Sequence, residues 1–134
     1  MTPVYTISEL AKEFKITTRA IRHYEDVGLL SPQRDGINRL FGNRDRARLK
    51  LALRARRLGI SLAEIHELFD LYDNAGNERR KLEGLLAKLE RHRIELEQRS
   101  EDIAAMLDEF AFFENQCRRS LAGSHRQTVE TKPA

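Results

Sequence analysis

The sequence predicts a mainly α-helical chain: a small winged helix-turn-helix head followed by one long helix with coiled-coil patterning. Three observations predict it. Two short amphipathic segments are separated only by Lys15-Ile16, the spacing of a helix-turn-helix. Helical periodicity then breaks from Leu29 to Phe41 around a tight-turn dipeptide, Asp35-Gly36. Finally, Leu82, Leu86, Leu89, Arg93, Leu96, Ser100, Ile103, Leu107 and Phe110 alternate four- and three-residue steps, a coiled-coil seam with two polar interruptions.

Each element has a local cause. The first helix opens at Thr6-Ile7-Ser8-Glu9, where Thr6 can cap and Glu9 can reach back to it. Ile7, Leu10, Ala11 and Phe14 give that helix an apolar stripe. Thr17 caps the second helix, which ends at Val27-Gly28 with Gly28 as a natural residue beyond the cap. Ser31-Pro32 stops regular structure, and Arg39-Leu40-Phe41 alternates like a short strand, so a β-hairpin or wing is expected here. Asn43 is expected to cap a third helix with apolar positions Ala47, Leu49, Leu51, Ala52, Leu53 and Leu58, ended by Gly59. Ser61-Leu62-Ala63-Glu64 is a second capping box and opens a fourth helix through Ile65, Leu68 and Phe69.

Asn74-Ala75-Gly76-Asn77 marks a boundary. The predicted organisation is therefore a head over residues 1–73, a dimerisation helix over 77–120 and a polar tail over 121–134, expected to be disordered. A helix of about 40 residues runs roughly 60 Å. Such a helix cannot bury its seam alone, and a second copy is the expected partner, with Leu82, Leu86, Leu89, Leu96, Ile103, Leu107 and Phe110 in the interface. Arg93 and Ser100 are candidates for fixing its register.

Composition narrows the function. No stretch approaches the roughly 20 apolar residues that span a bilayer, and Met1-Thr2-Pro3-Val4 lacks the regions of a signal peptide; a cytoplasmic protein without a membrane partner is expected. The single Cys117 excludes an internal disulfide and a multi-cysteine zinc site within one chain. No Ser/His/Asp arrangement, phosphate loop or paired-carboxylate motif occurs, so no enzyme and no cofactor are expected. Residues 1–60 hold 13 Lys and Arg against 6 Asp and Glu, while the remainder holds 11 against 15. A basic front half on an acidic back half points to a polyanion as partner of the front half.

That charge concentrates on the second helix. Arg19, Arg22, His23 and Asp26 share one helical face, whereas Ala20, Ile21, Tyr24 and Val27 lie toward the other. In a helix-turn-helix the second helix enters the major groove. Arginine there can read guanine edges or hold phosphates. Tyr24, at the boundary, can bury its ring and give its hydroxyl to a phosphate. Arg39, on a short strand beside the turn, suits the DNA backbone or minor groove.

The stretch "TISELAKEFKITTRAIRHYEDVGLL", followed by a short wing and "RDRARLKLALRARRLGISLAEI", resembles the MerR family of bacterial transcription regulators. Arg22-His23-Tyr24-Glu25 with Gly28-Leu29-Leu30 carries one signature, and Arg56-Arg57-Leu58-Gly59 with Ser61-Leu62 and Glu64-Ile65 carries another. The resemblance implies DNA-contact roles for Thr18, Arg19, Arg22 and Tyr24 on the second helix and for Arg39 on the wing. It also implies a homodimer joined by antiparallel helices, reading the two halves of a palindromic promoter element, with RNA polymerase as a further partner if the protein activates. Three positions depart from the family pattern: Lys15 stands where members often carry Gly, His23 replaces an aromatic, and Asn38 precedes Arg39 where members tend to have Tyr. The run Arg44-Asp45-Arg46-Arg48-Leu49-Lys50 is most similar to a subgroup linked to branched-chain amino acid and acyl-CoA catabolism.

Metal-sensing members of that family use at least two cysteines near the end of the long helix. Cys117 stands alone, and His92 and His125 do not flank it at ligand spacing, so no metal site is expected. Met106, Phe110, Phe112 and Phe113 cluster near the far end of the helix, where packing or an organic-effector pocket is open to them. An interaction protein using the coiled coil as an adaptor, with an incidentally basic head, is the alternative reading. Salt-sensitive, sequence-selective DNA binding separates the two.

Overall fold

Thr6 begins the first helix as its residue pattern requires. In a computed structural model that describes residues 3–123, its hydroxyl accepts the Glu9 N–H at 3.1 Å while the Glu9 carboxylate accepts the Thr6 N–H at 2.8 Å. The resulting α1 (Ile7–Phe14) ends at Lys15, which adopts φ 57° and donates its N–H to the Ala11 carbonyl. A left-handed lysine costs about 1 kcal/mol that glycine avoids, so the departure from the family pattern is accommodated at a steric cost. Thr17 caps α2 (Thr18–Asp26) through the Ala20 N–H at 3.0 Å. Past it, Gly28 takes φ 87° and turns the chain so that the Leu29 N–H reaches the Tyr24 carbonyl at 2.9 Å.

The wing is a three-stranded sheet in the order β1-β3-β2, built from β1 (Val4–Tyr5), β2 (Gln33–Asp35) and β3 (Asn38–Gly42). Asp35 pairs with Asn38 across a two-residue loop, and Gly36 holds the positive φ that the first loop position of such a turn demands. The hairpin was expected; β1 was not. Two residues carry too little alternation to announce a strand, yet Val4 pairs with Gly42 and Tyr5 with Phe41. That pairing displaces the expected cap of the next helix. Gly42, not Asn43, is the N-cap of α3 (Asn43–Arg57), and no side chain caps it. The Asn43 Oδ1 instead accepts a hydrogen bond from the Tyr5 hydroxyl at 3.0 Å.

Three of the apolar positions expected along α3 also fall elsewhere. Ala47, Leu51 and Leu58 are exposed, while Leu49, Ala52 and Ala55 are buried. The buried set follows the helical repeat, and Leu51 lies on the opposite side of it. Asp45 joins the buried set because its carboxylate accepts the Ser31 N–H at 2.9 Å, tying the wing's approach to the helix. The Ser61–Glu64 capping box forms as expected and opens α4 (Leu62–Ala75). Leu10, Ile21, Tyr24, Leu29, Leu30, Phe41, Leu49 and Ile65 make one core drawn from the four helices of the head, the loop after α2 and strand β3.

Salt links brace this core. Arg46 of α3 binds Glu13 of α1, and Arg44 and Arg48 both bind Asp73 of α4. Arg48 also lies 4.6 Å from the centroid of the Phe69 ring. The hydrogen bond from Arg48 is the main reason the Asp73 carboxyl lies below its ordinary range; partial burial opposes it, and the charges of Arg48 and Arg44 reinforce it. A depressed carboxyl stabilises the fold above the ordinary aspartate range near pH 4 and loses that contribution as pH falls through the folded value. Asp73→Asn should therefore cost about 1 kcal/mol at neutral pH, the upper end for a part-exposed pair. Thermal melts compared across acid pH check this: the gap between wild type and variant should close as the solution is acidified, and a gap independent of pH would count against the link.

The chain divides into two compact units that meet at Leu85 and Leu86, inside α5 (Arg79–Gly123). Helix α5 runs 45 residues, about 68 Å at the rise of an α-helix. Leu121 to Gly123, expected in the tail, belong to it; the rest of the expected tail lies outside the described residues. Along the predicted seam Leu82, Leu86, Leu89, Ile103, Leu107 and Phe110 are 42–63% exposed, and Leu96 is half-buried. Arg93 reaches along its own helix to Glu97 at 2.9 Å. Among the described residues no helix is long and apolar enough to cross a membrane.

Candidate nucleic-acid interface

Ile21 and Tyr24 anchor α2 in the core, and this fixes what its other face presents. Arg19, Arg22, His23 and Asp26 are all exposed, as the helical repeat requires. Among the described residues neither Arg19 nor Arg22 has an ion pair or hydrogen bond, so both guanidinium groups face solvent with all donors available. Thr18 is the half-buried first residue of the helix. Tyr24 is only 5% exposed, which makes it principally a core side chain; His23 lies against it at 6.0 Å between ring centroids. Val27 does not continue the apolar face. It is the C-cap, outside the helix, and remains partly exposed beside α4.

Arg39 is not a lone wing arginine. Its Nε donates to Glu25 Oε1 of α2 at 2.6 Å, and Arg34 of β2 donates from Nη2 to Glu25 Oε2 at 3.0 Å. Sequence reading missed both Arg34 and the anchoring role of Glu25. The signal was present: a two-residue loop at Gly36-Ile37 sets Arg34 opposite Arg39 by hairpin counting. Arg56 was also missed as a neighbour of α2; it lines a cleft with His23, Tyr24, Ala52 and Ile60. The basic run on α3 divides in two. Arg44, Arg46 and Arg48 are occupied in structural salt links, while Lys50, Arg54 and Arg57 are exposed.

The aromatic group on α5 separates as well. Met106, Phe110 and Phe113 follow one stripe, which Cys117 continues, but Phe112 is rotated off it and touches Phe113 edge-on at 5.4 Å. The Cys117 thiol is exposed. Among the described residues no three His, Cys, Asp or Glu side chains group as a metal site.

An outward basic helix on a helix-turn-helix, flanked by a wing with two arginines, defines a winged DNA-binding head of the kind used by transcription regulators. Comparison with known proteins agrees. Residues 5–71 match the family model described as MerR HTH family regulatory protein, and residues 46–111 match the one described as MerR, DNA binding. A probable heavy metal-dependent transcriptional regulator of Haemophilus influenzae is 32% identical over 114 residues, covering 84% of this chain and 87% of that protein. The HTH-type transcriptional regulator CueR of Salmonella typhi is 34% identical over 109 residues, covering 76% and 78%. Among solved structures, HiNmlR, a MerR family regulator lacking the sensor domain and crystallised bound to promoter DNA, superposes with a TM-score of 0.80 at 23% identity, covering 97% of this chain and 98% of that one. The chain belongs to the MerR family and is a DNA-binding transcriptional regulator, not an enzyme.

Proposed function

We propose that two copies of this chain bind one promoter element of palindromic type, each inserting α2 into the major groove of a half-site and laying its wing on the flanking backbone. The single observation that carries this is the outer face of α2, where Arg19 and Arg22 are exposed and unpaired among the described residues. The exposed seam of α5 supports the second copy, because six large apolar side chains repeat along it at coiled-coil spacing. In the cytoplasm, such a dimer would place two heads at a fixed separation for RNA polymerase to meet if the protein activates. The effector proposed is a small organic molecule held near Met106, Phe110, Phe112 and Phe113, since Met106, Phe110 and Phe113 expose one apolar stripe, with Phe112 half-buried beside it, and Cys117 is a single thiol per chain. Titrating the purified protein against its own promoter region at several salt concentrations tests the reading. Binding should be selective over mixed-sequence DNA and should weaken steeply with salt; equal affinity for all DNA, or none, would favour the adaptor alternative.

Arg39 has a defined part in this scheme. Its Nε is engaged by Glu25, but its terminal nitrogens make no hydrogen bond among the described residues and the side chain is 23% exposed. Arg39→Ala should weaken binding to many sequences alike and lower the salt slope by about one. A change in base preference at one position with an intact slope would contradict a backbone role.

A further inference from the structure

Glu25 presents one carboxylate to two arginines that stand directly opposite each other on the wing. Arg34 and Arg39 are cross-strand partners in β2 and β3. Like charges in that position repel and would splay the side chains. Each oxygen of Glu25 instead takes one guanidinium, Oε1 from Arg39 and Oε2 from Arg34. The side chain of Glu25 is 18% exposed, so the three charges meet at a partly desolvated junction between the recognition helix and the wing, where such pairs are stronger than on open surface. Neither arginine spends its whole fork: Arg39 donates to Glu25 through Nε and Arg34 through Nη2, which leaves further N–H groups on each.

We propose that Glu25 is a positioning residue for DNA binding: it holds Arg34 and Arg39 in a fixed orientation so that their remaining donors converge on one backbone phosphate beside the half-site. The proposal rests on the reading of the head as a DNA-binding surface. It makes a prediction opposite in sign to simple electrostatics. Removing a negative charge near DNA should tighten binding if charge alone mattered. Removing the group that orients two phosphate donors should loosen it, as loss of an outer partner does to a ligand it orients.

The test is a cycle of variants on the full chain, with a mixed-sequence DNA duplex as probe because a phosphate contact does not depend on sequence. Glu25→Gln should weaken binding on the order of tenfold, the scale of one charge-assisted contact, and should lower the salt slope by about one. In a chain already carrying Arg34→Ala and Arg39→Ala the same Glu25→Gln change should weaken binding no further. Circular dichroism checks the fold; if the glutamine variant does not fold, Glu25→Asp, which keeps the charge but withdraws the carboxylate by one methylene, replaces it in the same cycle. Binding as tight as wild type in the single variant, or equal weakening in both backgrounds, would overturn the positioning role. Failure of the wild-type chain to bind the duplex or its promoter would instead overturn the underlying reading.

Discussion

Leu96→Glu is expected to abolish operator binding while leaving every residue of the head unchanged. The seam of α5 is the reason. Leu89, Leu96 and Ile103 sit at seven-residue spacing near its centre, and the two flanking residues are about half exposed in the single chain. In an antiparallel pair of such helices the centre of the seam meets the partner's centre, so each of these side chains would be buried twice over in one dimer. A buried leucine contributes roughly 2 kcal/mol. Placing a carboxylate there removes that contribution and adds a desolvation penalty of several kcal/mol per copy. Two heads on one element roughly add their contact energies, so a monomer forfeits about half of them and with that its selectivity. Sedimentation of the purified variant, alongside a binding titration, measures both parts. A stable Leu96→Glu dimer with normal binding would mean that some other surface joins the copies.

How much of this was legible in the sequence depended on whether the signal was local. The capping boxes at Thr6 and Ser61 and the turn at Gly36 are written in four-residue windows, and each forms where its residues stand. The outward face of α2 follows from helical repeat alone. What could not be read was set by contacts distant in sequence. Strand β1 exists because Val4 and Tyr5 find Gly42 and Phe41, and the loss of Asn43 as a cap follows from the Tyr5 hydroxyl arriving beside it. Likewise, Arg44, Arg46 and Arg48 add to the basic balance of the front half when the sequence is counted; only folding shows that Glu13 and Asp73 take them up. The family resemblance supplied the class of protein but no effector, because Cys117 is a single exposed thiol where metal-sensing members use at least two cysteines.

Arg22→Ala is expected to weaken operator binding by about 1–3 kcal/mol per half-site, roughly 5- to 150-fold. Arg22 lies one turn beyond Arg19 on the outer face of α2, exposed and free of internal partners among the described residues. The alanine variant therefore breaks no salt link within the head, and its fold should hold. That separates Arg22 from Arg39, whose removal also takes away one of the two guanidinium groups on Glu25. Two further comparisons fix what Arg22 does. Arg22→Lys keeps the charge but loses the planar pair of donors that matches guanine O6 and N7. If Arg22 reads a base, lysine should retain binding to mixed-sequence DNA and the salt slope while losing much of the preference for the operator. If it holds a phosphate, lysine should restore most of the affinity, and alanine should lower the slope by about one. Its place on the outward face of α2, near the middle of the helix, favours base reading if that helix enters the major groove as proposed. Unchanged operator affinity in a folded Arg22→Ala chain would remove it from the interface altogether.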